Sequence, residues 1–96
     1  MTIKEISLPS AFPINATTGK EYNGSNVEKL LNTDLYDQRW ATFRQWKSAG
    51  YKVKKGSKGT ELIKVVSVKD KKSPKLEKRV PRRFWVFNIC QVEEIK

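Results

Sequence analysis

The side chains best placed to do chemistry in this chain are cations and aromatic rings. Tyr51-Lys52-Val53-Lys54-Lys55-Gly56-Ser57-Lys58-Gly59 sets four ammonium groups, on Lys52, Lys54, Lys55 and Lys58, within seven residues. Like charges this close repel unless an anion lies among them, and Gly56 and Gly59 let a backbone approach that anion closely. The plain alternative for the same residues is a solvated hairpin tip. Arg44 and Lys47, at i and i+3 with Arg39 just before them, form a second basic group. The arginine guanidinium is a planar fork for phosphate and also stacks on bases. An ordinary polar helix face is the alternative there. A third group is the 69–83 segment, with eight basic and two acidic residues, in which Arg82 and Arg83 adjoin a strand. Among the rings, Tyr22, Tyr51 and Trp46 are the candidate platforms for stacked bases, with Lys20 close to Tyr22. Single-strand binders pair such exposed rings with a basic groove. Trp40, Phe43 and Phe87 are expected in the core.

What is missing narrows the chemistry. The chain has no histidine and a single cysteine, Cys90. Ordinary zinc sites, Cys-His and Ser-His-Asp nucleophiles and histidine acid–base catalysis need residues that are not there. Cys90 follows Phe87-Asn88-Ile89 and is expected to be a small core residue in a reducing, cytoplasmic setting. The carboxylates are scattered, and Asp34 and Asp37 read as complements to a helix dipole rather than as metal ligands. Gly56-Ser57-Lys58-Gly59 matches neither a Walker loop nor a dinucleotide fingerprint. The expectation is a non-enzymatic protein with no cofactor and no small-molecule substrate.

Charge points to a polyanion. Twenty basic against ten acidic side chains give a net charge of +10. Residues 1–48 hold six basic and five acidic groups, whereas residues 49–96 hold fourteen and five, so the excess lies in the C-terminal half. A concentrated positive potential attracts phosphate chains, and each contact releases condensed counterions. An anionic membrane would call for an amphipathic basic helix or a lipidation site, and neither is evident. The decisive expectation is that these cations share one continuous surface.

The elements that must position these groups follow from pattern. Residues 1–24 are punctuated by Pro9, Pro13, Gly19 and Gly24 and read as an irregular arm. Ser25-Asn26-Val27-Glu28 fits a capping box for a short helix whose stripe is Val27, Leu30 and Leu31, ending at Asn32. Thr42-Phe43-Arg44-Gln45 fits another, for a helix facing inward through Phe43, Trp46 and Ala49 and stopping at Gly50. Trp40 is expected to staple onto that helix. After Gly50 the period becomes alternating, which predicts a β-hairpin of 51–54 with 60–68 around a 56–59 turn. Residues 69–79 read as a mobile charged loop, and 83–92 as a central third strand with Pro81 at its start. The chain is therefore expected to be one α+β domain: a small antiparallel sheet of about three strands packed with two short helices. A winged-helix variant has the same layout.

Four stretches resemble a known family: Asn15-Ala16-Thr17-Thr18-Gly19-Lys20-Glu21-Tyr22-Asn23-Gly24-Ser25-Asn26, Arg39-Trp40-Ala41-Thr42-Phe43-Arg44-Gln45-Trp46-Lys47, residues 50–60, and Val86-Phe87-Asn88-Ile89-Cys90-Gln91. In this order they are similar to the N-terminal single-stranded-DNA-binding domain of ArdC-type antirestriction proteins and TraC-like plasmid primases. The resemblance implies single-stranded DNA as ligand and a mobile genetic element as context. It further implies docking to a replication polymerase, primase or helicase. ArdC-type proteins continue into a metalloprotease-like domain with a His-Glu-x-x-His motif, which a chain without histidine cannot supply. The leading expectation is thus an accessory single-strand binder. The others are a basic adaptor meeting an acidic protein and a winged-helix duplex reader.

Overall fold

The computed structural model describes residues 5–69, 71–72 and 75–95. In chain order the elements are β1 (Ile14–Asn15), α1 (Ser25–Leu31), β2 (Arg39–Thr42), α2 (Phe43–Ser48), β3 (Tyr51–Val53), β4 (Thr60–Lys69), β5 (Glu77–Asn88), a 3₁₀ turn (Ile89–Gln91) and β6 (Val92–Glu94). The fold is α+β as expected, but the sheet is larger and mixed. Four strands run β1-β2-β5-β4, with β1 parallel to β2 and the other neighbours antiparallel, and β3 pairs with β6 in a second sheet.

The principal correction concerns pairing. β3 does not form a hairpin with β4. It pairs across the chain with β6, so Lys52 faces Glu93 and Val53 faces Val92. The hairpin is β4–β5, in unbroken register from Thr60↔Val86 to Lys69↔Glu77. Part of the expected 69–79 loop is therefore strand, and only residues 70–76 connect β4 to β5. Asp70, Ser73 and Pro74 of that expectation lie outside the described residues. Pro81 sits in mid-strand opposite Val65 instead of at a strand start. The strand β2, immediately before α2, is not foreshadowed by the sequence pattern. Its four residues share Thr42 with the helix cap, which leaves too little alternation to detect.

The central sheet is covered on both faces. Neighbouring residues of a strand point to opposite sides. Trp40 and Val86 pack with Leu30 of α1 and Leu62, while Ala41 packs with Trp46 of α2, Ala16 and Val92. The two helices are thus separated by the sheet, which removes the helix pair that a winged-helix reader would need. The expected stripe of α1 is only partly buried. Leu30 is in the core, Leu31 is exposed, and Asn26 takes a buried place instead.

The caps divide. The Thr42–Gln45 box is present: the Gln45 amide donates to Thr42 Oγ1 at 3.2 Å, and the Thr42 amide donates to Gln45 Oε1 at 3.0 Å. α1 has no side-chain cap, because the chain enters it through Gly24 at φ 62°, a conformation that favours glycine. Phe43 and Cys90, both expected in the core, are exposed. The hairpin runs past Leu62 and Phe84, where the core ends, and projects outward. The Cα radius of gyration is 15.4 Å, against about 12–13 Å for a compact chain of this length.

Candidate nucleic-acid interface

The outward half of the β4–β5 hairpin and the connection from β3 to β4 form the densest exposed cationic region. Strand alternation sorts the hairpin residues. One face carries Trp85, Arg83, Pro81 and Arg79 with Glu61, Ile63, Val65 and Ser67 across from them. The other carries Phe84, Arg82, Val80 and Lys78 with Leu62, Lys64, Val66 and Val68. On that second face Lys64 Nζ lies 5.5 Å from the centre of the Phe84 ring, a cation–π contact.

On the hairpin, Trp85 is half-exposed, at 50%. It stands one step beyond the packed layer on its face. Phe87, two residues nearer the core on the same side, packs against the Trp46 cluster. Gly59 lies over this pair so closely that a Cβ there would be 3.1 Å from Phe87 Cζ and from Trp85 Cβ. This contact seats the end of the lysine-bearing connection on the base of the Trp85 side chain. Gln91 Nε2 donates to the Lys58 carbonyl at 2.9 Å and Lys54 Nζ to the Cys90 carbonyl at 3.2 Å, which tie the connection to the 3₁₀ turn.

The other residues singled out from the sequence divide by burial. Arg44 and Lys47 are exposed on the outer side of α2, where Arg44 borders an open depression of about 320 Å³ with Glu5, Thr17 and Ser48. Lys52, Lys54, Lys55, Lys58, Arg82 and Arg83 are exposed. Lys52 pairs with Glu93 at 3.6 Å and Arg83 with Glu61 at 3.3 Å. Exposed pairs of this kind are weak and yield readily to a phosphate. Among the described residues Arg44, Lys47, Lys54, Lys55, Lys58 and Arg82 make no ion pair. Lys20 is exposed after the turn that begins at Asn15.

Two residues are withdrawn from the ligand by geometry. Trp46 is fully buried; its Nε1 donates to the Phe87 carbonyl at 2.8 Å and its ring meets Tyr51 edge-on at 5.3 Å. It has no face left for a base, and Tyr51 lends it one edge. Arg39 is committed to Asp37, with Nε at 2.9 Å and Nη2 at 2.7 Å from its carboxylate oxygens, and a further bond from Nη1 to the Ser7 carbonyl. That fork holds the Asp37 carboxyl below its ordinary range and the guanidinium above its own. Asp37 thus serves Arg39 instead of a helix dipole. Tyr22 is mostly buried, and burial pushes its phenol up to about 12.

The cations therefore occupy both faces of the hairpin and the outside of α2, not one uniform surface. The face holding Trp85 collects ring, lysine connection and arginines together. Among the described residues no group of three histidine, cysteine or carboxylate side chains could hold a metal, and no helix is long and apolar enough to cross a membrane.

Asn15 explains part of the sequence resemblance. Its Oδ1 accepts from the amides of Thr17 and Thr18 and from Thr17 Oγ1, and its Nδ2 donates to Gln45 Oε1 at 2.9 Å. The arm, the Thr42–Gln45 cap and β2 are thereby locked into one unit. A model of the N-terminal domain of the anti-restriction factor ArdC matches residues 3–92. The chain belongs to the ArdC N-terminal domain family. Crystal structures of the ArdC antirestriction protein from plasmid R388 agree with this. The metal-free form superposes with a TM-score of 0.68 at 29% identity over 88% of the chain. The Mn(II)-bound form does so with 0.73 at 30% over 90%. Two Escherichia coli proteins named DNA primase TraC are similar over shorter stretches, 42% identical across 59 residues and 45% across 55, or 60% and 56% of the chain. This ArdC N-terminal domain spans 33–36% of the R388 chains and 4–6% of the primases.

Proposed function

We propose that this ArdC-type domain binds single-stranded DNA along the Trp85 face of the β4–β5 hairpin. Trp85 is the stacking platform. Lys54, Lys55, Lys58, Arg79 and Arg83 are the phosphate partners, with Arg44, Lys47 and Lys20 as outlying contacts and Lys52 and Arg82 adding to the potential. The observation that carries this reading is a half-exposed indole that packs against Gly59 of the lysine-bearing connection and shares its hairpin face with Arg83 and Arg79. Same-face residues advance about 6.6 Å per two positions, so Trp85, Arg83 and Arg79 form a row that an extended strand can follow. Similarity to plasmid antirestriction and primase proteins supports a role as accessory to replication or priming on a mobile genetic element. A polymerase, primase or helicase is the corresponding protein partner. The 96 residues act in this reading as one binding module without catalysis.

Fluorescence anisotropy with labelled oligonucleotides tests it. A single strand should bind more tightly than duplex DNA or RNA of the same sequence, with affinity falling as salt rises. Trp85→Ala should weaken single-strand binding by about 1–3 kcal/mol. Lys54→Ala with Lys55→Ala should flatten the salt slope by about 0.7 for each phosphate no longer neutralised. Unchanged affinity in Trp85→Ala would remove the platform, and salt-independent binding would remove the mechanism.

A further inference from the structure

The hairpin has two long edges, and they are not equivalent. Asn26 of α1 reveals which way the backbone groups point. Its Nδ2 donates to the Ile63 carbonyl at 2.8 Å, and its Oδ1 accepts from the Ile63 amide at 3.1 Å. Both polar groups of Ile63 therefore face away from β5. In an unbroken antiparallel ladder this direction repeats every second residue. The amides and carbonyls of Val65, Ser67 and Lys69 must face the same open side, and among the described residues none has a backbone partner there. On the opposite edge the outward residues beyond β2 include Pro81, which has no amide to offer. Its missing donor costs the β4 ladder nothing and blocks a further strand on the β5 side.

We propose that the open edge of β4 from Lys64 to Lys69 takes up an extended acidic segment of a protein partner as an added strand. Backbone bonds to Val65, Ser67 and Lys69 would hold it, as Asn26 already does at Ile63. The exposed side chain of Val65 flanks that edge and would pack beside apolar residues on the same face of the incoming strand. Charge selects the occupant. Residues 64–69 and 77–83 carry Lys64, Lys69, Lys78, Arg79, Arg82 and Arg83 against Glu77. A second copy would bring lysines against lysines across the new ladder, whereas glutamates along one face of an incoming strand would meet Lys64, with Arg82 and Lys78 on the same face, and valines on its other face would lie beside Val65. The backbone bonds of this site lie on the β4 edge and not on the Trp85 face, while Arg79, Arg82 and Arg83 lend charge to both sites.

The test is amide hydrogen exchange of the 96-residue chain with synthetic peptides. An octapeptide of alternating glutamate and valine should slow exchange at Val65, Ser67 and Lys69 by about tenfold or more, while a lysine–valine octapeptide should not. Ser67→Pro removes an outward amide without touching the β5 ladder. It should abolish the effect while changing single-stranded oligonucleotide affinity by less than about twofold. The same acidic peptide, N-methylated at alternate residues, should also fail against the unaltered protein, which keeps the test independent of how the proline variant folds. Equal protection by both peptides, or protection by the methylated one, overturns the proposal. So does protection that grows with protein concentration alone, which would assign the edge to a second copy.

Discussion

At the scale of single residues, two tryptophans of the same chain have opposite fates for reasons of position. Trp46 hangs from a helix pressed onto the sheet, so its ring is buried and its indole N–H must find a partner, the Phe87 carbonyl. Trp85 points to the same face of the sheet but lies beyond the layer that covers it. Tyr22 is a third case. Its hydroxyl donates to the Trp40 carbonyl at 3.4 Å within a mostly buried site. Its folded pKa is raised from 10.0 to about 12, so the native state holds the proton more tightly than the unfolded chain. This contribution to stability is complete below pH 10 and disappears as pH rises from there toward about 12. Alkaline denaturation followed by circular dichroism should show this decline, and Tyr22→Phe should flatten that part of the curve.

Among the elements, the hairpin is held at its base by contacts that are few and specific. Asn26 supplies both partners of the Ile63 backbone, and removing it would leave two part-buried polar groups without a protein partner at once. Asn26→Ala should destabilise the fold by about 2–3 kcal/mol in urea denaturation, whereas the exposed Leu31→Ala on the same helix should cost less than about 1 kcal/mol. Gly59 makes the close approach of the β3–β4 connection to β5. The nearest atoms include Trp85 Cβ, which cannot swing away like the tip of a long side chain. Gly59→Ala should therefore cost about 1–2 kcal/mol and shift the indole emission of Trp85, since the connection must lift to admit the methyl group. Element boundaries were legible where a cap carries its own chemistry. Thr42-Phe43-Arg44-Gln45 forms the expected box, while Ser25 looks equivalent in sequence but loses its role because Gly24 turns the chain one residue earlier.

For the molecule as a whole, core and binding surface are separable. One buried cluster ends at Leu62 and Phe84 and the other at Phe87, and the outer hairpin contributes to neither. Replacing residues 65–81 by an Asn-Gly turn should leave a folded domain with nearly the same thermal midpoint. Lys64 and Arg82 form a ladder pair suited to such a short closure. The excised segment takes away Lys69, Lys71, Lys72, Lys75, Lys78 and Arg79. The salt slope of single-strand binding should then fall by about 0.7 for each of these that neutralises a phosphate. Of the proposed phosphate partners only Arg79 is excised, so part of the slope should survive; a slope left wholly unchanged would confine the interface to the β3–β4 connection, Arg83 and α2.

The sequence by itself determined the class of fold, the second helix with its cap, the concentration of positive charge in the C-terminal half and the family. All of these are local or compositional: a capping box spans four residues, charge is a sum, and the resembling motifs are contiguous. The tertiary structure decided what depends on distant partners. Tyr51–Val53 carries the alternation of any half-buried strand, and nothing within it says that its partner is the remote Val92–Glu94 instead of the strand just past the glycine turn. Nor can alternation alone tell Trp46 from Trp85 as the exposed ring. Exposure is settled by where the layer packed on the sheet stops, and that limit belongs to the assembled fold.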